Sequence, residues 1–173
     1  GVAVLIPSTY VESISKNAGL QYMDAPVIHS YRGRTEGVDT EVAEVQQLIA
    51  KYNHGQPKQI AATETGTHDF SPNGRVHVAQ YLVKQYTLLL SRNVHPICWY
   101  LARDYSNFKT MGLMHDPADP MGRYVPCQAY PAYANLIQQL YGTSFVRREQ
   151  TDPHTYFEQF SKAGQQIYVC WAT

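Results

Sequence analysis

The strongest constraint on the fold is an alternation of two hydrophobic periods. Short apolar runs bounded by Pro, Gly or Ser take turns with longer segments whose apolar residues recur at helical spacing. Residues 2–7 (VAVLIP) read as a buried strand and residues 10–17 as a short helix closed by Gly19. Residues 23–29 give a second strand. In the next segment Val38, Val42, Val45, Leu48 and Tyr52 fall at spacings of four, three, three and four, with Glu41, Glu44 and Lys51 between them, which places one apolar stripe on a helix. Residues 60–62 form a third strand, followed by a helix with Val76, Ala79, Leu82, Val83, Tyr86 and Leu90 on one face. Residues 94–104 (VHPICWYLARD) read as a fourth strand. A Pro-containing loop over 105–126 then leads to a helix with Tyr130, Ala134, Ile137 and Leu140 on one side.

Four β/α units in a row predict an α/β fold in which parallel strands are joined by right-handed crossovers, either an open doubly wound sheet or part of a (β/α)₈ barrel. The absence of G-x-G-x-x-G and of a P-loop weakens a nucleotide-binding reading. After Gly142 the period changes: TSFVRRE and GQQIYVCWAT read as strands, with TYFEQF extending the first or forming a turn. The expected division is residues 1–142 for the β/α part and 143–173 for a β extension.

Composition narrows the partners. Fourteen basic and fourteen acidic side chains cancel, and no Lys/Arg block occurs, so neither a nucleic-acid groove nor an anionic membrane surface is expected. No apolar stretch reaches the roughly 18 residues of a membrane span, and the N-terminal GVAVLIPST lacks the basic lead of a signal peptide. The 14 Tyr residues suit an uncharged, carbohydrate-like ligand as well as ordinary core and rim packing. Cys98, Cys127 and Cys170 form no C-x-x-C pair, and His68, His77, His95, His115 and His154 show no H-E-x-x-H or tight spacing. No metal and no cofactor is therefore expected. The lack of a G-x-S-x-G elbow leaves a serine hydrolase unsupported.

The most informative residue is Glu64, an acid placed where the apolar run QIAA gives out into TETG. In α/β folds the carboxyl ends of strands are where chemistry is usually built. The ordered set APVIHSY, IAATETG and HPICWYLARD, each separated by one helix, resembles strands six, seven and eight of the (β/α)₈ retaining glycoside hydrolases of clan A, of the family 39 and family 5 types. CQAYPAYANLIQQLYG is similar to their last helix, and F…G…IYVCW to a strand of the β domain that often follows.

The resemblance implies the carboxyl half of a barrel, strands five to eight, and a glycosidase activity. It makes Glu64 the nucleophile that attacks the anomeric carbon, His29 or Tyr31 the hydrogen-bond donor that aims it, and Trp99 the aromatic platform under the reacting sugar. Asp104, Tyr105 and Phe108 stand on the loop that follows and are candidates for touching sugar. Each has a plainer reading: a strand-end ion-pair partner for Glu64, a satisfied core histidine for His29, a barrel core residue for Trp99, and a solvated loop for the rest.

One part of the pattern is missing. A retaining glycosidase needs a second carboxylate about 5 Å from the nucleophile, and in this clan it is a Glu preceded by Asn at the end of strand four. No Asn-Glu pair occurs in the 173 residues. Two function classes follow: a glycosidase with a borrowed acid such as Glu36 or Asp104, and a non-catalytic carbohydrate-binding or structural half barrel. Half of a barrel also leaves a face and two strand edges uncovered, so a homodimer or higher homo-oligomer is expected, with Val2, Val4, Ile6, Val27, Ile60, Ala62 and Ile97 on the open face.

Overall fold

A computed structural model describes residues 8–17, 19–105, 107–149 and 152–173. The strand expected over 2–7 lies outside these. The first helix, α1 (Ser8–Lys16), is followed by a 3₁₀ turn (Gly19–Tyr22). The second expected strand begins later than its apolar run, so β1 is Val27–Tyr31. Then come α2 (Val38–Tyr52), β2 (Ala61–Gly66), α3 (Gly74–Leu90), the short β3 (Ile97–Trp99), α4 (Ala129–Leu140), β4 (Ser144–Arg148), β5 (Thr155–Lys162) and β6 (Gln165–Ala172).

The sheet β1-β2-β3 is parallel, and β4-β5-β6 is a separate antiparallel sheet. Among the described residues the parallel sheet thus has three strands rather than four. TYFEQF neither extends β4 nor turns: it belongs to β5, an independent strand paired along its length with β6. The Ala163-Gly164 step, with φ of 49° and 81°, closes that hairpin with the left-handed geometry favoured by two-residue turns.

Among the described residues, helices cover one face of the parallel sheet. In α2, Val38, Val42, Val45 and Ile49 are buried and join Ile28, Ile60, Ala62, Leu88 and Leu89 in one apolar cluster. Each such side chain contributes about 1.5–3 kcal/mol through burial. In α3 the expected stripe is too narrow. The helix lies between sheet, α2 and α4, so Val78, Tyr81, Leu88 and Leu89 are buried as well, whereas Val76 is exposed.

In α4 the buried face is rotated from the expected one: Ala129, Leu136 and Leu140 point inward, and Tyr130 and Ile137 are exposed. The antiparallel sheet docks on both clusters through Phe160, Tyr156 and Trp171. Arg148 of β4 ties it to the start of α2, pairing Asp39 at 3.0 Å and Glu158 at 2.5 Å.

Among the described residues, the other face of the parallel sheet carries no helix. Its residues alternate with the buried ones: Val27 and Cys98 are exposed, and His29 and Tyr31 are partly so. Ile60, Ala62 and Ile97, expected on this face, pack instead into the helix-side clusters. The open face is therefore more polar than the sequence suggests.

Candidate functional site

The site begins with a slip in register. Val27 and Ile28 pair with Ala61 and Ala62, but His29 pairs with Glu64, so Thr63 is an extra residue in β2. Bulges of this kind re-aim side chains next to functional sites. Here both Thr63 and Glu64 meet His29: Nε2 of His29 is 3.0 Å from Thr63 Oγ1, and Nδ1 is 3.6 Å from Glu64 Oε2. Tyr31 makes the closer contact, its hydroxyl donating to Glu64 Oε2 at 2.8 Å. Of the two donors expected for Glu64, Tyr31 is the one at hydrogen-bond distance, and His29 flanks it. Burial, with the bond to Glu64 second, raises the Tyr31 phenol above the usual tyrosine range, so it stays a donor. Glu64 itself keeps a side-chain exposure of 40%, open to a ligand.

Behind this face a buried polar seam fixes the two strands. Ser30 and Thr65 point to the helix side, where Gln85 of α3 donates to Ser30 Oγ at 2.9 Å and to Thr65 Oγ1 at 3.2 Å. Ser30 Oγ also donates to Thr65 Oγ1 at 3.2 Å. Because neighbours along a strand alternate faces, fixing Ser30 and Thr65 also fixes Tyr31 and Glu64. The signal in the sequence was a Gln amid the apolar residues of a buried helix. Gly66 completes the local design. A Cβ there would meet the Tyr100 carbonyl at 2.5 Å, so only Gly lets the chain after β3 approach β2, where Tyr100 N–H donates to Thr65 O at 2.8 Å.

Trp99 is not on the open face. It pairs with Thr65, shares its helix-side direction, packs 6.3 Å from Tyr81 and donates through Nε1 to Met111 O at 2.8 Å. The ring beside Tyr31 is that of the next residue, Tyr100, 6.3 Å away and edge-on; interaction with Tyr105 first, and the Glu64 charge as the smallest cause, raises the Tyr100 phenol. Strand alternation puts Tyr100, and not Trp99, on the face shared by Tyr31. Cys98, on the opposite side of the strand from Trp99, is exposed.

Asp104 is buried and ion-paired: it is 1% exposed, meets Arg75 at 2.5 Å and accepts from Gly112 N–H at 2.6 Å. It belongs to a cluster with His115 and Cys127 whose ligand atoms lie within 4.8 Å of one another. Three such donors could hold a metal, but the Arg75 guanidinium already occupies their centre, donating to Cys127 Sγ at 3.0 Å and lying 3.4 Å from His115 Nδ1. Burial pushes the Cys127 thiol up to about 11, so it remains protonated. This cluster clamps the 100–128 loop to α3. Glu36, the other candidate acid, is held by Trp171 Nε1 at 3.3 Å and Lys84 at 3.8 Å.

The fold has solved counterparts. A family 39 glycoside hydrolase from the gut symbiont Bacteroides cellulosilyticus WH2 superposes on 93% of this chain with a TM-score of 0.74 at 18% identity. A GH2 β-galacturonidase from Eisenbergiella tayi bound to glycerol superposes on 74% with a TM-score of 0.55 at 17% identity. This chain spans 36% of the length of the first and 26% of that of the second. No protein-family model matches the chain, and no curated protein matches it. What the likeness establishes is a fold shared with part of these glycoside-hydrolase chains.

Proposed function

We propose that the chain carries the nucleophile half of a retaining glycoside hydrolase, with Glu64 as the attacking carboxylate, and that β1, β2 and β3 are strands six to eight of a (β/α)₈ barrel. The observation that carries this reading is the Tyr31–Glu64 hydrogen bond on the uncovered face of the sheet. A neutral donor holds the carboxylate in one orientation without neutralising it, which is what attack on an anomeric carbon requires. Tyr100 supplies the aromatic ring beside it, in the role the family resemblance implies for Trp99. Residues 143–173 serve as the β extension, and the ligand is a carbohydrate.

A second reading rests on the acid. Asp104 is locked by Arg75, and Glu36 by Trp171 and Lys84, so neither candidate is free to protonate a leaving group. The chain alone then binds sugar and cleaves only glycosides with good leaving groups, unless another chain supplies the acid and covers the open face, a second copy being the simplest source. Hydrolysis of aryl glycosides separates the readings, since an aryloxide needs little acid assistance. Turnover that disappears in Glu64→Gln supports the nucleophile. Full turnover in that variant removes it.

A further inference from the structure

A cavity of about 370 Å³ opens between the loop after β1, the loop after β2 and one face of α3. That is the small end of ligand sites, which run from about 300 to 1,000 Å³. Neither Glu64 nor His29, Tyr31 or Tyr100 lines it. His77, Gln80, Tyr81 and Lys84 do, at spacings of three, one and three, so a single face of α3 forms one wall. Two hydroxyls in the lining are left over by the fold. Thr35 is 2% exposed and Tyr81 7%, and neither oxygen has a hydrogen-bond partner in the protein. The Arg32 backbone amide approaches the Tyr81 oxygen without reaching hydrogen-bond geometry, and burial raises the phenol, so it stays a donor. Buried polar groups are nearly always paired, so each of these calls for a partner. The charged groups sort the same way. Asp69 is engaged: it accepts from the Ser71 amide at 2.8 Å and meets His77 Nδ1 at 2.6 Å, contacts that hold its carboxyl down at about 2. Glu36 accepts from Trp171 Nε1 at 3.3 Å. Lys84 stands 3.8 Å from Glu36, too far for a hydrogen bond, and the side chains of Arg34 and Gln80 have no partner among the described residues. The acceptors of the cavity are taken and its donors are not.

We propose that this cavity binds a compact oxyanion, a phosphate or carboxylate group on a small molecule, with Lys84 and Arg34 supplying charge and Thr35, Tyr81 and Gln80 neutral hydrogen bonds. Such a lining recognises a ligand rich in acceptors, and charge-assisted bonds carry most of its affinity. Glu36 and Asp69 oppose an anion, so the affinity is modest, in the millimolar range. The site neither uses nor requires the reading of Glu64 as a nucleophile.

The test is titration calorimetry and amide NMR on the whole chain, with inorganic phosphate, acetate and glycerol added at constant ionic strength. Saturable binding of phosphate or acetate is expected, shifting the Thr35 and Lys84 amides and exceeding glycerol by about tenfold or more. The tighter of the two anions names the group. Lys84→Met should weaken it about tenfold or more, the worth of one charge-assisted hydrogen bond. Tyr81→Phe and Thr35→Val should each weaken it about three- to tenfold and leave the melting temperature level or higher, because the hydroxyl removed has no partner in the fold. Glu64→Gln should bind the anion as the wild type does. No saturable binding of either anion, glycerol affinity equal to theirs, or unchanged affinity in Lys84→Met overturns the proposal. So does a lower melting temperature with unchanged affinity in both Tyr81→Phe and Thr35→Val, which would assign the hydroxyls to the fold. Loss of the anion in Glu64→Gln would overturn it too, by placing the anion at the other site. Failure of the nucleophile reading shows in the reaction with aryl glycosides and leaves these affinities as they are.

Discussion

Glu64 and Asp104 are carboxylates in neighbouring parts of one chain with opposite surroundings. Asp104 sits in a buried cluster and faces a guanidinium, Arg75, together with the Gly112 amide. Glu64 sits on an uncovered sheet face and receives a phenol hydroxyl, with a histidine alongside at 3.6 Å. A charge that is buried with its opposite is committed to holding structure, because freeing it means separating the pair. One steadied by a neutral donor and left open to solvent can act on something that is not part of the protein. The same distinction separates the two adjacent aromatics: Trp99 is spent on Tyr81 and Met111, and Tyr100 faces the carboxylate.

The largest effect expected from breaking this contrast is on the structural side. Asp104→Ala leaves the Arg75 charge without its carboxylate and should cost about 3–5 kcal/mol of stability, read by denaturant unfolding. A loss below about 1 kcal/mol would mean that the cluster is not a clamp.

Trp99→Ala should cost about 3 kcal/mol through the lost helix-side packing, with sugar affinity unchanged. Weakened sugar binding at unchanged stability would return Trp99 to the site. On the open face, Tyr31→Phe keeps the ring and removes the donor. It should slow reaction of Glu64 with an activated aryl glycoside by about 10- to 100-fold, the worth of a hydrogen bond to a charged group. An unchanged rate would leave the carboxylate without its aiming contact.

The smallest effect concerns pH. The Tyr31 phenol lies above its unfolded value, so the stability it contributes is complete below about pH 10 and is lost only as pH rises through the raised folded value. Wild type and Tyr31→Phe should accordingly show the same pH dependence of rate from pH 6 to 9. A limb in that window present only in wild type would contradict the assignment.

Much of this contrast could be read in the sequence, and the failures share a cause. The helix α2 was legible because one stripe faces one partner, so period alone marks Val38, Val42 and Val45. The α3 and α4 faces were misread where a helix has several neighbours, which periodicity cannot count. Glu64 was legible as a polar residue at the end of an apolar run, but the bulge at Thr63 that turns it toward Tyr31 depends on pairing with β1. The fate of Asp104 was hidden because Arg75, His115 and Cys127 converge on it only in space. Trp99 and Tyr100 could have been separated by strand alternation once Thr65 was known to face α3.

The central claim, that Glu64 is a nucleophile and not merely an exposed acid, is tested most directly by trapping. An aryl 2-deoxy-2-fluoro-glycoside has a good leaving group and forms a slowly hydrolysed glycosyl-enzyme, which intact-mass spectrometry followed by peptide mapping would locate. The account predicts one fluoro-sugar per chain, attached to Glu64 and absent from Glu64→Gln. No adduct across gluco-, xylo- and galacto-configured reagents, or an adduct on any other residue, would contradict it.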